Sequence, residues 1–211
     1  MATRLGLISD VHATPGPLRE ALAIFAREGV ERILCGGDIA GYGEALEETV
    51  ALLRQGRCES IIGNHDQWYL QDAGGEESPT LHYLRKLPLA RHYTLEGRRL
   101  YMVHASPPDS TMDGIRLLDE AGALIPARLA EWRERLQGFG YDVLIVGHTH
   151  QIFSEQLGGT LVINPGSSAF NHSCAVLTLP QCELQLYGLG GYEPTPTWNW
   201  GTNQIDVTPR G

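Results

Sequence analysis

The clearest pattern along the chain is a series of short apolar runs, each broken off by polar residues and often by glycine. Five of them read as buried strands: "LGLIS", "RILCG", "ESIIG", "LYMVH" and "VLIVG". Between the first two lies "PGPLREALAIFAREG", with apolar residues at helical spacing and Gly29 as a stop. Between the second and third, "GEALEETVALLRQG" has the same character. Strand, helix, strand, helix, strand predicts a βαβαβ unit, hence parallel strands in one sheet. "SPTLHYLRKLP" reads as a short helix capped by Ser78 or Thr80, and "IPARLAEWRERLQGFG" as a longer one ending at Gly138 or Gly140. Further on, "IFSEQLGGTLVINPGS" and "CAVLTLPQCELQLYG" predict antiparallel hairpins, with turns at Gly158-Gly159 and Pro180-Gln181. From about residue 188 the chain is rich in Gly, Pro, Thr and Asn, which suits a tail that is draped over the surface or mobile. With no internal repeat and 211 residues, one domain over 1–211 is expected.

The polar residues at the ends of the apolar runs change the picture. After the first come Asp10 and His12, and after the second Gly37-Asp38. The third leads into Asn64, His65 and Asp66, the fourth ends in His104, and the fifth in His148 and His150. Five of the eight histidines stand at these ends. Each feature alone is as readily a turn, a cap or a hydrogen-bonded surface histidine. Together they are different. In open α/β sheets ligands sit beyond the carboxyl ends of the strands, and βαβ topology aims all five clusters at one sheet edge. Carboxylate, amide oxygen and imidazole without thiolate suit divalent Mn, Fe, Co, Ni or Zn. The candidates outnumber the ligands of one tetrahedral site; two ions about 3.5–4 Å apart, sharing a carboxylate, would use them all. On extended backbone, Asp10 with His12 and His148 with His150 would each project to one side as a pair.

Composition narrows the partners. A net charge of −9 argues against stable binding to nucleic acid or to an anionic membrane, while leaving room for a nucleotide held by local charge. No run approaches the roughly 18 apolar residues of a membrane span, and the N-terminus lacks the apolar core of a signal peptide. Cys35, Cys58, Cys174 and Cys182 are scattered, which reads as reduced core thiols in a cytoplasmic protein.

The ordered motifs "DVH" (10–12), "GD" (37–38), "GNHD" (63–66), "VHAS" (103–106) and "GHTH" (147–150) resemble those of the calcineurin-like metallophosphoesterases. "NPGS" (164–167), which recurs in small prokaryotic members, is expected to turn near the site. The resemblance implies a four-layer αββα sandwich with mixed sheets, and two divalent ions, Mn or Fe first among the candidates. It implies that Asp10, His12 and His150 bind one ion, that Asn64, His104 and His148 bind the other, and that Asp38 bridges them. A hydroxide between the ions then attacks phosphorus in line, and His65 protonates the leaving oxygen or stabilises the transition state. Asp66 either orients His65 or caps the following helix.

The chain departs from the superfamily's protein phosphatases and diadenosine-tetraphosphate hydrolases in one respect. Those place arginines before GNH and after GD; here Ile62, Gly41 and Tyr42 stand in such places, so that bidentate phosphate clamp is missing. The chain is more similar to small prokaryotic phosphodiesterases and nucleotide phosphohydrolases. The expected substrate is a small phosphate ester, a diester or a nucleotide. Diadenosine polyphosphates, phosphoproteins and a non-catalytic scaffold are the alternatives. Tyr42 either lines the pocket and stacks on a base or aryl group, or packs on the core. Arg85, Arg91, Arg116 and Arg128 are other potential phosphate contacts, or solvated surface. The segment 105–140 is where a substrate cover is expected, and His82, His92 and His172 read as structural.

Overall fold

The computed structural model describes residues 2–198. β1 (Thr3–Ile8) leads to α1 (Pro15–Arg27), which opens with proline where an N–H would have no helical partner. β2 (Arg32–Cys35), α2 (Leu46–Gln55) and β3 (Glu59–Ser60) complete the first alternation. α3 (Asn64–Ala73) begins on the GNHD stretch itself. In α4 (Pro79–Arg85), Ser78 is the cap: its Oγ accepts the Leu81 N–H at 3.1 Å. Then come β4 (Ala90–Leu95), β5 (Arg98–Val103), α5 (Pro126–Arg135), β6 (Val143–Ile145), β7 (Ile152–Leu157), β8 (Thr160–Pro165), β9 (Ser173–Leu179) and β10 (Glu183–Gly188).

These strands form two five-stranded mixed sheets, ordered β10-β9-β1-β2-β3 and β4-β5-β6-β8-β7. β1, β2 and β3 pair in parallel as their alternation with helices predicts, but the fourth and fifth apolar runs, β5 and β6, belong to the second sheet. The five polar strand ends therefore do not share one sheet edge. They meet where the carboxyl ends of two parallel strand sets lie side by side. β4 was not marked by its sequence; it is a half-exposed edge strand, closed onto β5 by a two-residue turn at Glu96-Gly97 with both residues left-handed.

Alternation along β1 builds the layers. Leu5 and Leu7 face the second sheet and pack with Leu100, Met102, Val143, Ile145 and Ile163. On the outer face a side chain at Gly6 would lie 2.8 Å from the Phe25 ring, so glycine lets α1 seat closely. α1, α2 and α4 cover that face through Leu18, Phe25, Val50, Leu53 and Leu84. Trp132 and Leu136, on α5 and at its end, cover the second sheet's outer face. The result is an αββα sandwich. Each fully buried Leu contributes roughly 1.5–3 kcal/mol to holding it.

Both predicted hairpins form, the first through left-handed Gly158 and Gly159. The tail is more than draped. The Thr195 N–H donates to Asn171 O, the Ile152 N–H to Pro196 O and the Trp198 N–H to His150 O. Its remainder, from 199 on, lies outside the described residues. No helix among the described residues is long and apolar enough to cross a membrane.

Candidate metal centre

The polar strand ends are held in backbone conformations that side chains seldom adopt. Asp10, His12, Asp38, Tyr42, His148 and His150 all have positive φ, between 48° and 65°. The paired residues therefore do not project to one side from extended backbone, as their spacing suggested. Each such residue costs of order 1–3 kcal/mol, sustained only when surrounding contacts over-determine it. Those contacts are present. The Asp10 N–H donates to Gly37 O at 3.0 Å, the His12 N–H to Asp38 O at 2.9 Å, and the Gly147 N–H to His104 O at 2.8 Å. The last of these links the two parallel strands of the second sheet at their ends.

The side chains converge. Ligand atoms of Asp10, His12 and His150 lie within 4.8 Å of one another, as do those of Asp38, His104 and His148, and those of His12, Asp38 and His65. Asp38 thus belongs to two groups and His12 to two. The Nε2 atoms of His12 and His150 face each other at 3.1 Å. His150 Nε2 is 3.3 Å from Asp10 Oδ1, and His104 Nε2 is 3.4 Å from Asp38 Oδ1. Asn64 Oδ1 stands 3.1 Å from His104 Nε2 and 2.9 Å from His148 Nδ1. All seven sequence candidates for metal ligation meet in this cluster, and all but His148 are buried.

Outer contacts decide which ring nitrogen faces inward. His12 Nδ1 is 3.2 Å from Ala40 O and His104 Nδ1 is 2.7 Å from Gly36 O. A carbonyl only accepts, so each Nδ1 carries a proton and each Nε2 is the nitrogen turned toward the centre. Burial lowers His12 to a pKa of about 4, outweighing the nearby Asp38 and Asp10 charges. Burial also acts against the charged form of His104, but Asp38 beside it prevails and raises it to about 9. Burial pushes the Asp10 carboxyl up, and the His150 hydrogen bond with the surrounding imidazoles holds it well below the ordinary carboxylate range. The centre thus gathers lone pairs and favours positive charge. Carboxylate, amide and imidazole atoms at these separations fit divalent cations of the hard-to-borderline class.

The loops are stitched by Ser167 and Asn164 of the NPGS turn and by two residues that sequence reasoning missed, Asn171 and Gln151. Ser167 Oγ donates to Asp10 O at 2.6 Å. Asn171 Oδ1 accepts the Ser167 N–H, and its Nδ2 donates to His150 O and to Thr195 O. Asn164 Nδ2 donates to Gly147 O. The NPGS turn near the site is therefore where it was expected, and "NPGSSAFN" as a whole clamps the DVH and GHTH loops together. Gln151 accepts the N–H groups of Leu117 and Leu118, which fastens part of the 105–140 segment beside His150. The signal available in sequence was a small, polar stretch directly after a buried strand.

Asp66 is fully buried, and its oxygens accept the Ala40 and Gly63 N–H groups at 2.7 and 2.9 Å. It thus ties the GD loop to the first turn of α3 in the manner of a capping carboxylate. Burial and the Asp38 charge raise it to about 7, against the pull of those two donors. His65 is half-buried. Its N–H donates to Asp38 Oδ1 at 2.9 Å, and its ring lies 5.0 Å from that of His12. Burial lowers its pKa. Tyr42 does not pack on the core: it is 46% exposed, with its ring 4.8 Å from His12 and 4.7 Å from His65. Arg85 is bound to Glu77, Arg91 to Ser60 O and Arg128 to Glu131, while Arg116 lies exposed. His82, His92 and His172 enter none of the donor groups found among the described residues.

Three comparisons bear on this arrangement. The family model of the calcineurin-like phosphoesterase superfamily domain matches residues 3–180. A probable metallophosphoesterase of Methanothermobacter thermautotrophicus is 30% identical, over 77% of this chain and 76% of that protein. Among solved structures, a metallophosphoesterase from Sphaerobacter thermophilus superposes with a TM-score of 0.63 at 24% identity, covering 90% of this chain and 88% of the other. A novel archaeal phosphodiesterase superposes at 0.58 with 20% identity, over 89% of this chain and all of that one.

Proposed function

This chain belongs to the calcineurin-like phosphoesterase superfamily and is a phosphoric ester hydrolase, and from that premise we propose that it cleaves small phosphodiesters or nucleotides with two divalent ions. The observation that carries the dinuclear reading is the position of Asp38. It shares one donor group with His12 and another with His104 and His148. Asp10, His12 and His150 would hold the first ion, Asn64, His104 and His148 the second, and Asp38 both. When bound, such ions, with Mn or Fe the leading candidates, acidify a water and neutralise charge building on the phosphoryl oxygens.

The chain's own residues supply the rest. The His12 and His104 rings are held in their ligating tautomers by Ala40 O and Gly36 O. His65 leans over the cluster from the first turn of α3, its backbone fixed by Asp38. Burial keeps its ring neutral near pH 7, and an anionic ester alongside would favour its protonated form. In that form it gives a proton to the leaving oxygen. Asp66 acts as a positioning residue through the Gly63 and Ala40 amides. The phosphodiesterase among the structural relatives supports diesters within this class. The four free cysteines are consistent with a cytoplasmic location, which goes with this reading.

A substrate panel tests the proposal: monoesters, diesters, dinucleoside polyphosphates and cyclic nucleotides, each with Mn, Fe(II), Co, Ni and Zn. Metal-dependent turnover of a diester or nucleotide is expected. No turnover on any substrate, together with no metal retained, would favour the scaffold alternative.

A further inference from the structure

A continuous arc of rings borders one side of the metal cluster. Trp68 lies 4.8 Å from His65, His65 4.7 Å from Tyr42, Tyr42 5.5 Å from Phe170, and Phe170 5.3 Å from Trp198. These rings come from α3, the GD loop, the loop after β8 and the tail. Phe170 is buried, whereas Tyr42 and Trp68 stand 46% and 43% exposed on either side of His65. Holding Tyr42 there is costly. Tyr42 adopts a φ of 54° directly after Gly41 at 95°, and a side chain at Gly41 would lie 2.6 Å from His65 Nδ1. The turn next to Trp68 is fastened to the segment between β5 and α5 by the Thr111 hydroxyl, which donates to Gln67 Oε1 at 2.9 Å.

The phosphate side of the site offers little to set against this. Buried Ile62 precedes Gly63 in place of an arginine, and Arg85, Arg91 and Arg128 are engaged elsewhere. Grip on the organic part of the ester falls to the exposed π faces. Trp and Tyr stack on any flat ring, with little dependence on its identity.

We propose that Tyr42 and Trp68 bind the planar aromatic group of the ester, a nucleobase or an aryl ring, and thereby set the enzyme's choice of substrate. The proposal rests on the hydrolase reading above and names the substrate class of that same site.

The test is calorimetric binding of adenosine 5′-monophosphate and ribose 5-phosphate to the Mn-loaded protein. The two ligands share phosphate and sugar and differ only in the base. Wild type should favour the monophosphate by about 5- to 100-fold, the range expected for one stacked base. Trp68→Leu and Tyr42→Leu should each cut that ratio several-fold, and the double variant should bring it near one. Trp68→Phe should keep most of it, and ribose 5-phosphate affinity should stay within about twofold throughout. A wild-type ratio of one, or failure of both ligands to bind metal-loaded protein, overturns the proposal. So does a ratio that survives the substitutions while both affinities fall together, which is the signature of rings that merely prop His65. If the base preference holds but no ester is hydrolysed, the hydrolase reading fails and the aromatic site stands.

Discussion

Gly63→Ala adds one methyl at the tightest point of the site. Gly63 has φ −107° and ψ −179°, which alanine adopts freely, so the substitution carries no backbone penalty and any effect is steric. The new Cβ would lie 2.8 Å from Asp38 Cγ and closer still to its Oδ1 and backbone nitrogen. Ordinary contact begins near 3.4 Å, so the carboxylate oxygen must retreat by about 1.3 Å and the Asp38 nitrogen by about 1.0 Å, or α3 must move away. Either shift separates Asp38 from His104 Nε2, now 3.4 Å away, and from the His65 N–H at 2.9 Å. Overpacking of this kind costs about 1–3 kcal/mol, which for a chain of this size lowers the melting temperature by roughly 2–12 °C. A displacement approaching 1 Å in a catalytic cluster costs on the order of 10²-fold in rate. The assay is kcat/KM on bis(p-nitrophenyl) phosphate with excess Mn, with bound metal measured on the same sample. Gly75→Ala, which meets nothing within 4 Å, serves as the control. Wild-type activity and metal content in Gly63→Ala, at a lowered melting temperature, would refute the view that the Asp38 position governs the centre.

Asp38→Asn removes the charge shared between the two donor groups and is expected to abolish metal-dependent hydrolysis; bound metal and turnover measured together check it. His65→Ala should retain metal while losing about 10²- to 10⁴-fold in kcat, the usual contribution of a positioned proton donor, as read from kinetics at matched metal content. Asn171→Ala leaves the His150 and Thr195 carbonyls without that donor, so metal affinity should fall about 10- to 100-fold in a competition titration with a chelator, although the residue is no ligand.

The cluster was legible because each candidate ligand stands at or just beyond the end of an apolar run, and a buried strand has no use for Asp10, Asp38, His104 or His148 there. The partner of each run was not legible. The sequence of β6 would suit the first sheet as well as the second, and only pairing with β5 and β8 decides. The left-handed backbone at Asp10, His12, His148 and His150 was also hidden, since nothing local favours it; contacts such as Ser167 Oγ to Asp10 O sustain it from far along the chain. Asn171 and Gln151 escaped notice for the same reason: their worth lies in carbonyls and amides that folding alone brings within reach. β4 was missed because an edge strand buries little and alternates weakly. For Tyr42 the sequence allows a pocket position or a core position, and its exposure beside His65 favours the pocket.

We propose that this chain hydrolyses phosphate esters through two cooperating divalent ions held by Asp10, His12, Asp38, Asn64, His104, His148 and His150. The decisive measurement is a titration of Mn into chelator-treated protein while diester hydrolysis is followed. No turnover is expected at the outset, followed by a rise that saturates near two equivalents per chain. Full activity in the metal-free protein, or saturation at one equivalent, would contradict it.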